Sequence, residues 1–186
     1  KKYKLYIPPH VYDGGLSIGA LRYAVGKNFE IPNFPYIQDD WAPEEPSDQT
    51  IDEAAELLAQ GNIVGWYQGH GELGPRALGN RSILMNPTMP NGKDVLNAKV
   101  KKREWWRPFG ASVIKEAASK YFDIDDSPYM LYNANVLVDG LDPITHVDGT
   151  CRHQTVSEAS NSSFYRLLSK FEEKTGLPIL LNTSLN

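Results

Sequence analysis

Two stripes of apolar residues at helical spacing bracket a series of short apolar runs, and this alternation constrains the fold more than any other feature of the chain. Ile51, Ala54, Ala55 and Leu58 recur at i, i+3, i+4 and i+7, and Phe164, Leu167, Leu168 and Phe171 repeat the pattern near the other end. Each stripe needs a surface to bury against. Residues 63–67, 82–85, 109–114 and 179–181 are apolar runs too short for helices and read as buried strands; 129–138 and 152–156 read as further strands. Thr50 and Glu53 read as a capping box opening the first helix, with Gly61 as its stop. Gly176 and Pro178 end the second, and another helix is expected over about 92–100. Strands alternating with helices give a mixed α/β or α+β domain, and periodicity leaves its topology open.

The chain before residue 50 has a different character. A strand at 5–7, a turn at Asp13-Gly14-Gly15 and a helix to about Gly26 are expected, with Leu16, Ala20 and Tyr23 or Ala24 on one helix face. Residues 31–49 carry Pro32, Pro35, Pro43 and Pro46 among acids, without an apolar period, and read as a linker. The division is therefore a tail over 1–30, the linker, and a main domain over 50–186.

Composition removes several classes of function. A hydrophobic content of 41% suits a packed core, and no stretch approaches the roughly 18 consecutive apolar residues of a membrane span. The basic start Lys1-Lys2-Tyr3-Lys4 leads into no apolar signal region, and a chain opening on Lys1 reads as a piece of a longer one. Cys151 is the single cysteine, which excludes an internal disulfide and suits the cytoplasm. His10, His70, His146 and His153 show no metal-ligand spacing. The net charge of −4 is unevenly spread: 28–75 holds ten acids and no Lys or Arg, whereas 91–107 holds six cations against Asp94 and Glu104. A basic focus in an acidic protein suggests a local anionic ligand rather than general nucleic-acid affinity; on charge alone a solvated helix face is the alternative.

Four segments carry candidate chemistry. In Gly71-Glu72-Leu73-Gly74-Pro75-Arg76-Ala77-Leu78-Gly79-Asn80-Arg81-Ser82, glycines allow close backbone approach to a ligand, and Arg76 and Arg81 offer forked donors to phosphate; a structural turn with surface arginines is the alternative. In Lys101-Lys102-Arg103-Glu104-Trp105-Trp106-Arg107-Pro108-Phe109, an extended backbone would put residues 101 and 103 on one face and hold Arg107 extended before Pro108, gathering three charges. Phosphoryl and nucleotidyl transfer need such a cluster, and Trp105 and Trp106 read more readily as core than as a stacking platform. Asn182-Thr183-Ser184-Leu185-Asn186 follows an apolar strand, where substrate-binding loops often sit. Arg152, after the Asp148-Gly149 turn, would face the same pocket, and the Cys151 beside it reads as a buried, inert thiol rather than an activated one.

These segments resemble, in order over about 60–186, the carbamoyltransferases of the nodulation and antibiotic-tailoring (NodU/CmcH/TobZ) type. The resemblance rests on GELGPRALGNRSIL, VKKREWWRPF, THVDGT-x-R-x-QTV, FYRLL and TGLPILLNTSLN. Lys101-x-Arg103 with Ser184-x-Asn186 is similar to the KxR…SxN signature of the wider YrdC-like superfamily. The resemblance implies a YrdC-like twisted open sheet with flanking helices, preceded by the C-terminal tail of an actin-like domain, to which 8–20 is similar. The chain departs from the family pattern at Cys151, where Ala is usual, at His153, where Val is usual, at Gly110-Ala111 and at Leu185.

The resemblance also implies the chemistry. Carbamoyl phosphate loses its phosphate to give carbamate, which attacks the α-phosphorus of ATP, carried with Mg2+, and expels pyrophosphate. Lys101, Arg103 and Arg107 are implied as the catalytic cations, with Arg76, Arg152, Ser184 and Asn186 binding substrate. The resulting carbamoyl-adenylate passes to the protein's own N-terminal domain, where a hydroxyl of a small-molecule acceptor takes the carbamoyl group. A divalent metal, iron, is implied in that transfer domain; Asp13 matches a ligand position, but the upstream HxxxH pair is absent from this chain. Neither nucleic acid nor membrane is an expected partner. The alternatives are threonylcarbamoyl-adenylate synthesis for tRNA modification and a non-catalytic nucleotide-binding module.

Overall fold

The computed structural model describes residues 7–38 and 44–185. In chain order the helices are α1 (Leu16–Val25), α2 (Asp48–Ala59), α3 (Gly92–Val95, continued in wider π turns over Leu96–Lys101), α4 (Ala118–Tyr121) and α5 (Ser162–Thr175). The strands are β1 (Tyr36–Gln38), β2 (Val64–Tyr67), β3 (Gly71–Glu72), β4 (Arg81–Met85), β5 (Gly110–Ile114), β6 (Ala134–Asn135), β7 (Thr150–Cys151), β8 (His153–Val156) and β9 (Ile179–Ser184).

The central sheet is open and mixed, in the order β2-β4-β9-β5-β8. β9 lies in the middle, antiparallel to both β4 and β5, and β5 pairs in parallel with β8. Strand alternation sends odd and even residues to opposite faces. Ile83, Met85, Ile179 and Leu181 point into one core with Phe109, Phe122 and Ile144. Leu84 and Leu180 point into the other, where the stripes of α2 and α5 pack against the sheet. Both predicted stripes are buried in full.

Local chemistry sets the element ends. Ser47, one turn before the expected cap, opens α2 by accepting from the Thr50 amide at 3.2 Å. The box on Thr50 and Glu53 does not form, because Thr50 already lies inside the helix and Glu53 accepts from Gln49 instead. Asn161 caps α5, and Gly176 closes it in the left-handed conformation. Within the expected linker, β1 pairs antiparallel with β3 and Glu45 accepts from Ser163 at 2.6 Å, so part of that segment is pinned to the main domain. The strand expected at 5–7 lies outside the described residues except for Ile7. The strands expected over 129–138 reduce to β6, because Met130 turns the chain with a φ of +53° and Asp123 takes the Asn135 amide at 2.7 Å.

Helix α1 forms as its pattern predicts, but none of its residues is buried; Tyr23 is 90% exposed. Among the described residues, no helix is long and apolar enough to cross a membrane.

Two tight spots make predictions. Gly79 has a φ of +105°, and a Cβ there would sit 2.3 Å from the ring of Phe164, itself fully buried. Gly79→Ala is expected to lower stability by about 2–4 kcal/mol through strain and overpacking, read as a fall in the urea midpoint; an unchanged midpoint contradicts this packing. His153 is buried and stacked on Phe122 at 4.2 Å, and neither ring nitrogen reaches hydrogen-bonding geometry with a partner among the described residues. Burial lowers its pKa below the ordinary 6.5, against the smaller opposing influence of the Ile124 backbone and Asp123. The folded state therefore stays neutral where the unfolded state takes up a proton, and stability falls as pH drops below about 6.5. His153→Val is expected to flatten the dependence of melting temperature on pH between about 5 and 6.5; an unchanged slope contradicts the assignment.

Candidate functional site

A buried carboxylate organises the glycine-rich loop. Glu72 Oε1 accepts from the backbone amides of Leu78, Asn80 and Arg81 at 2.7, 2.8 and 3.2 Å. The carbonyls on the inner side of the loop are held as well. Leu78 O accepts from Gln154 Nε2 at 2.9 Å and from the Tyr36 hydroxyl at 3.0 Å, and Ala77 O accepts from Asn182 Nδ2 at 3.2 Å. With both ends fixed, the loop lays Pro75-Arg76-Ala77 along a cleft at the end of β9.

The cationic segment is arranged differently from the extended stretch expected. Lys101 is the last residue of the helical run, Lys102 reverses the chain in the left-handed conformation, and Glu104 to Arg107 make a turn. Alternation along a strand therefore does not relate residues 101 and 103. Buried Asn97 builds the corner instead. Its Oδ1 accepts from Arg103 Nε at 2.7 Å, and its Nδ2 donates to the Trp105 and Arg107 carbonyls at 3.2 and 3.0 Å. Arg103 also donates to Pro108 O and lies 4.6 Å over the Phe109 ring, so its guanidinium is fixed on three sides. Trp105 and Trp106 occupy the outer corners of the turn and are 71% and 58% exposed, not core.

The cleft encloses about 140 Å3 and is lined by Arg76, Arg103, Arg152, His146, Asn182 and Ser184, among others, with no Asp or Glu among the described residues that line it. Lys101 stands beside it, donating through Nζ to Ser184 O at 2.8 Å and Oγ at 3.2 Å. Ser184 is the last residue of β9, so the strand expected to end at 181 runs on through it. Arg107 lies outside the lining and faces Glu104 at 3.8 Å. Asn186 lies outside the described residues.

These cations strain against one another. The protein around Arg76 lowers its pKa, and Arg152 lowers it further, although much of the side chain meets solvent. Burial and then Arg103 lower that of Lys101; burial and then Arg107 lower that of Arg103, partly offset by Glu104. Burial is also the largest cause of the lowered pKa of His146, whose Nδ1 lies 3.1 Å from Thr150 Oγ1. Arginines remain charged throughout. A small anion entering such a cleft relieves like-charge repulsion as well as gaining hydrogen bonds. Cys151, by contrast, is buried and its thiol is pushed up to about 12, as suits an inert residue.

Residues 55–186 match the family model described as Carbamoyltransferase C-terminus. The chain belongs to the carbamoyltransferase family. Nodulation protein NolNO of Sinorhizobium fredii is 38% identical, with 98% of this chain and 31% of the relative aligned. Nodulation protein U of Rhizobium tropici is 36% identical over 98% of this chain and 34% of its own length. The 3'-hydroxymethylcephem-O-carbamoyltransferase of Streptomyces clavuligerus is 46% identical over 73% of this chain and 27% of the relative. The chain thus spans about a third of the length of these relatives.

In this carbamoyltransferase-family chain, Arg76, Arg103, Arg152 and Ser184 meet in one cleft with Lys101 at its side. Asp13 is exposed in a turn before α1, and the described residues contain no cluster of His, Cys, Asp or Glu able to hold a metal. Sequence reasoning did not single out Glu72, Asn97 or Asn182 as anchors. The available signal was a polar side chain inside an otherwise buried stretch: Glu72 between glycines, Asn97 after Leu96, and Asn182 directly after Ile179-Leu180-Leu181.

Proposed function

We propose that the cleft binds carbamoyl phosphate and that the chain joins it to ATP as carbamoyl-adenylate. The observation that carries this reading is a small cleft lined by three arginines and flanked by Lys101, with no carboxylate among the described residues that line it. Its volume is that of roughly five waters, which suits a small phosphorylated molecule and is too little for a nucleotide. ATP, entering as its magnesium complex, would lie across the mouth, with its phosphates toward Lys101 and Arg103.

In the first step water attacks the phosphorus of carbamoyl phosphate, the bridging P–O bond breaks, and carbamate leaves with its electron pair while phosphate releases a proton. A carbamate oxygen then attacks the α-phosphorus of ATP. The bond to the bridging oxygen breaks, and pyrophosphate departs with those electrons. Arg76 and Arg152 hold the phosphate end, Lys101 and Arg103 neutralise charge at the α-phosphorus, and Ser184 orients the carbamoyl oxygens, with Asn186 implied beside it by the motif. Arg107, beyond the lining, steers the incoming polyanion.

The relatives support one class of acceptor. One is named for O-carbamoylation of a hydroxymethyl group, and the same transfer to a small-molecule hydroxyl is proposed for the protein containing this chain, in the actin-like domain implied by the N-terminal motif. Product analysis tests the adenylate step. With carbamoyl phosphate, magnesium and ATP labelled at the α-phosphate, AMP and pyrophosphate are expected in equal amounts, and only when both substrates are present. Formation of ADP in place of AMP overturns the reading, and products that require threonine and bicarbonate favour the tRNA-modifying alternative.

A further inference from the structure

Asn182 holds a carbonyl oxygen that no described residue satisfies. It lies on the central strand, lines the cleft and is 2% exposed. The direction of its amide is fixed by a one-way chain of hydrogen bonds. Leu78 O can only accept, so Gln154 turns Nε2 toward it at 2.9 Å and presents Oε1 on its other side. Oε1 accepts the Ser112 hydroxyl at 2.8 Å, which leaves the Ser112 oxygen to accept from Asn182 Nδ2 at 2.9 Å. The remaining Nδ2 proton goes to Ala77 O, again an acceptor only. Reversing the Asn182 amide would set oxygen against oxygen at Ala77. Oδ1 is therefore the free end, and among the described residues it is the only buried side-chain oxygen without a partner.

A buried acceptor without a donor is costly, and the three arginines of the cleft do not reach it. The group that completes the site is thus an anion that also carries a hydrogen-bond donor. Phosphate and bicarbonate can donate only through an O–H that the surrounding arginines favour losing, and acetyl phosphate turns a methyl group toward Oδ1. A carbamoyl phosphate has anionic oxygens at one end and an amino group at the other.

Resting on the carbamoyl phosphate reading above, we propose that Asn182 Oδ1 accepts a hydrogen bond from the carbamoyl amino group and so selects carbamoyl phosphate over other acyl phosphates. Ser112 and Gln154 act as positioning residues that hold the amide in this direction. A site built around such a bond discriminates against a ligand that lacks the donor, because its own buried group is then left unpaired.

The test uses two stable analogues that differ only at this position, phosphonoacetamide and acetonylphosphonate, in which a methyl group replaces the amino group. Calorimetric titration of the purified protein is expected to give at least about tenfold tighter binding of the amide. Asn182→Ala is expected to remove that preference while acetonylphosphonate affinity stays within about threefold. Ser112→Ala, which leaves Oδ1 in place but removes one of the two groups that hold the amide, is expected to reduce the preference without removing it. Equal affinities in the wild type overturn the proposal without any variant, and so does an Asn182→Ala protein that weakens both ligands equally. If neither analogue nor carbamoyl phosphate itself binds, the carbamoyl phosphate reading fails together with the proposal.

Discussion

Arg103→Ala is expected to lower carbamoyl-phosphate-dependent exchange between pyrophosphate and ATP by about 100- to 1,000-fold, the loss typical of removing a preorganised donor to developing charge. Arg103 differs from the other cations in how firmly it is held. Asn97 and Pro108 take its protons, and Phe109 lies beneath its plane. That order is already present before substrate arrives, so the site does not have to reorganise at the moment of reaction. Arg103→Lys keeps a charge but loses the fork and the stacking, and an intermediate loss is expected. Arg107→Ala is expected to cost less than about tenfold, with most of the change in the salt dependence, because the side chain stands outside the cleft beside Glu104. Equal losses for Arg103→Ala and Arg107→Ala would contradict the division of roles drawn from their positions.

Glu72→Ala is expected to destabilise the fold by about 3 kcal/mol, which for a chain of this length corresponds to a fall of about 6–12 °C in melting temperature. Three backbone amides converge on one carboxylate oxygen, and removal leaves them without an acceptor in a region where Leu78 and Asn80 are buried. Glu72→Gln keeps an acceptor without the charge and is expected to lose about half as much. The damage extends to function, because the same loop carries Arg76. Carbamoyl phosphate affinity should fall even at temperatures where the variant is fully folded. A melting temperature within about 1 °C of the wild type would contradict the anchoring role.

The sequence-legible part of this molecule is the part governed by local periodicity. The stripes on α2 and α5, the apolar runs that became β2, β4, β5 and β9, and the glycine stop after α5 all follow from spacing within a few residues. Four of the cleft's polar residues were equally visible, because their motifs mark them without any knowledge of the fold. What spacing could not show is the set of long-range polar contacts. Asn182 meets Ala77 across 105 positions, and Gln154 meets Leu78 across 76. The turn at 104–107 failed for a related reason. Trp105 and Trp106 are apolar enough to suggest core, but Asn97 holds the backbone of that corner, and the indoles face outward. At 129–138, Tyr129, Leu131, Tyr132 and Val136 have strand-like composition, whereas Asp123 and a left-handed Met130 hold a turn-rich path in which only Ala134–Asn135 pairs as a strand.

In the proposed function, the chain activates carbamoyl phosphate by adenylation in the Arg76–Arg103–Arg152 cleft. The most direct measurement is the exchange of labelled pyrophosphate into ATP by the purified protein with magnesium, with and without carbamoyl phosphate. Exchange is expected to require carbamoyl phosphate and to be abolished in Lys101→Ala, because Lys101, held against Ser184, is the cation proposed to face the α-phosphorus. Exchange that proceeds equally without carbamoyl phosphate, or that survives in Lys101→Ala at the wild-type rate, would contradict the proposed function.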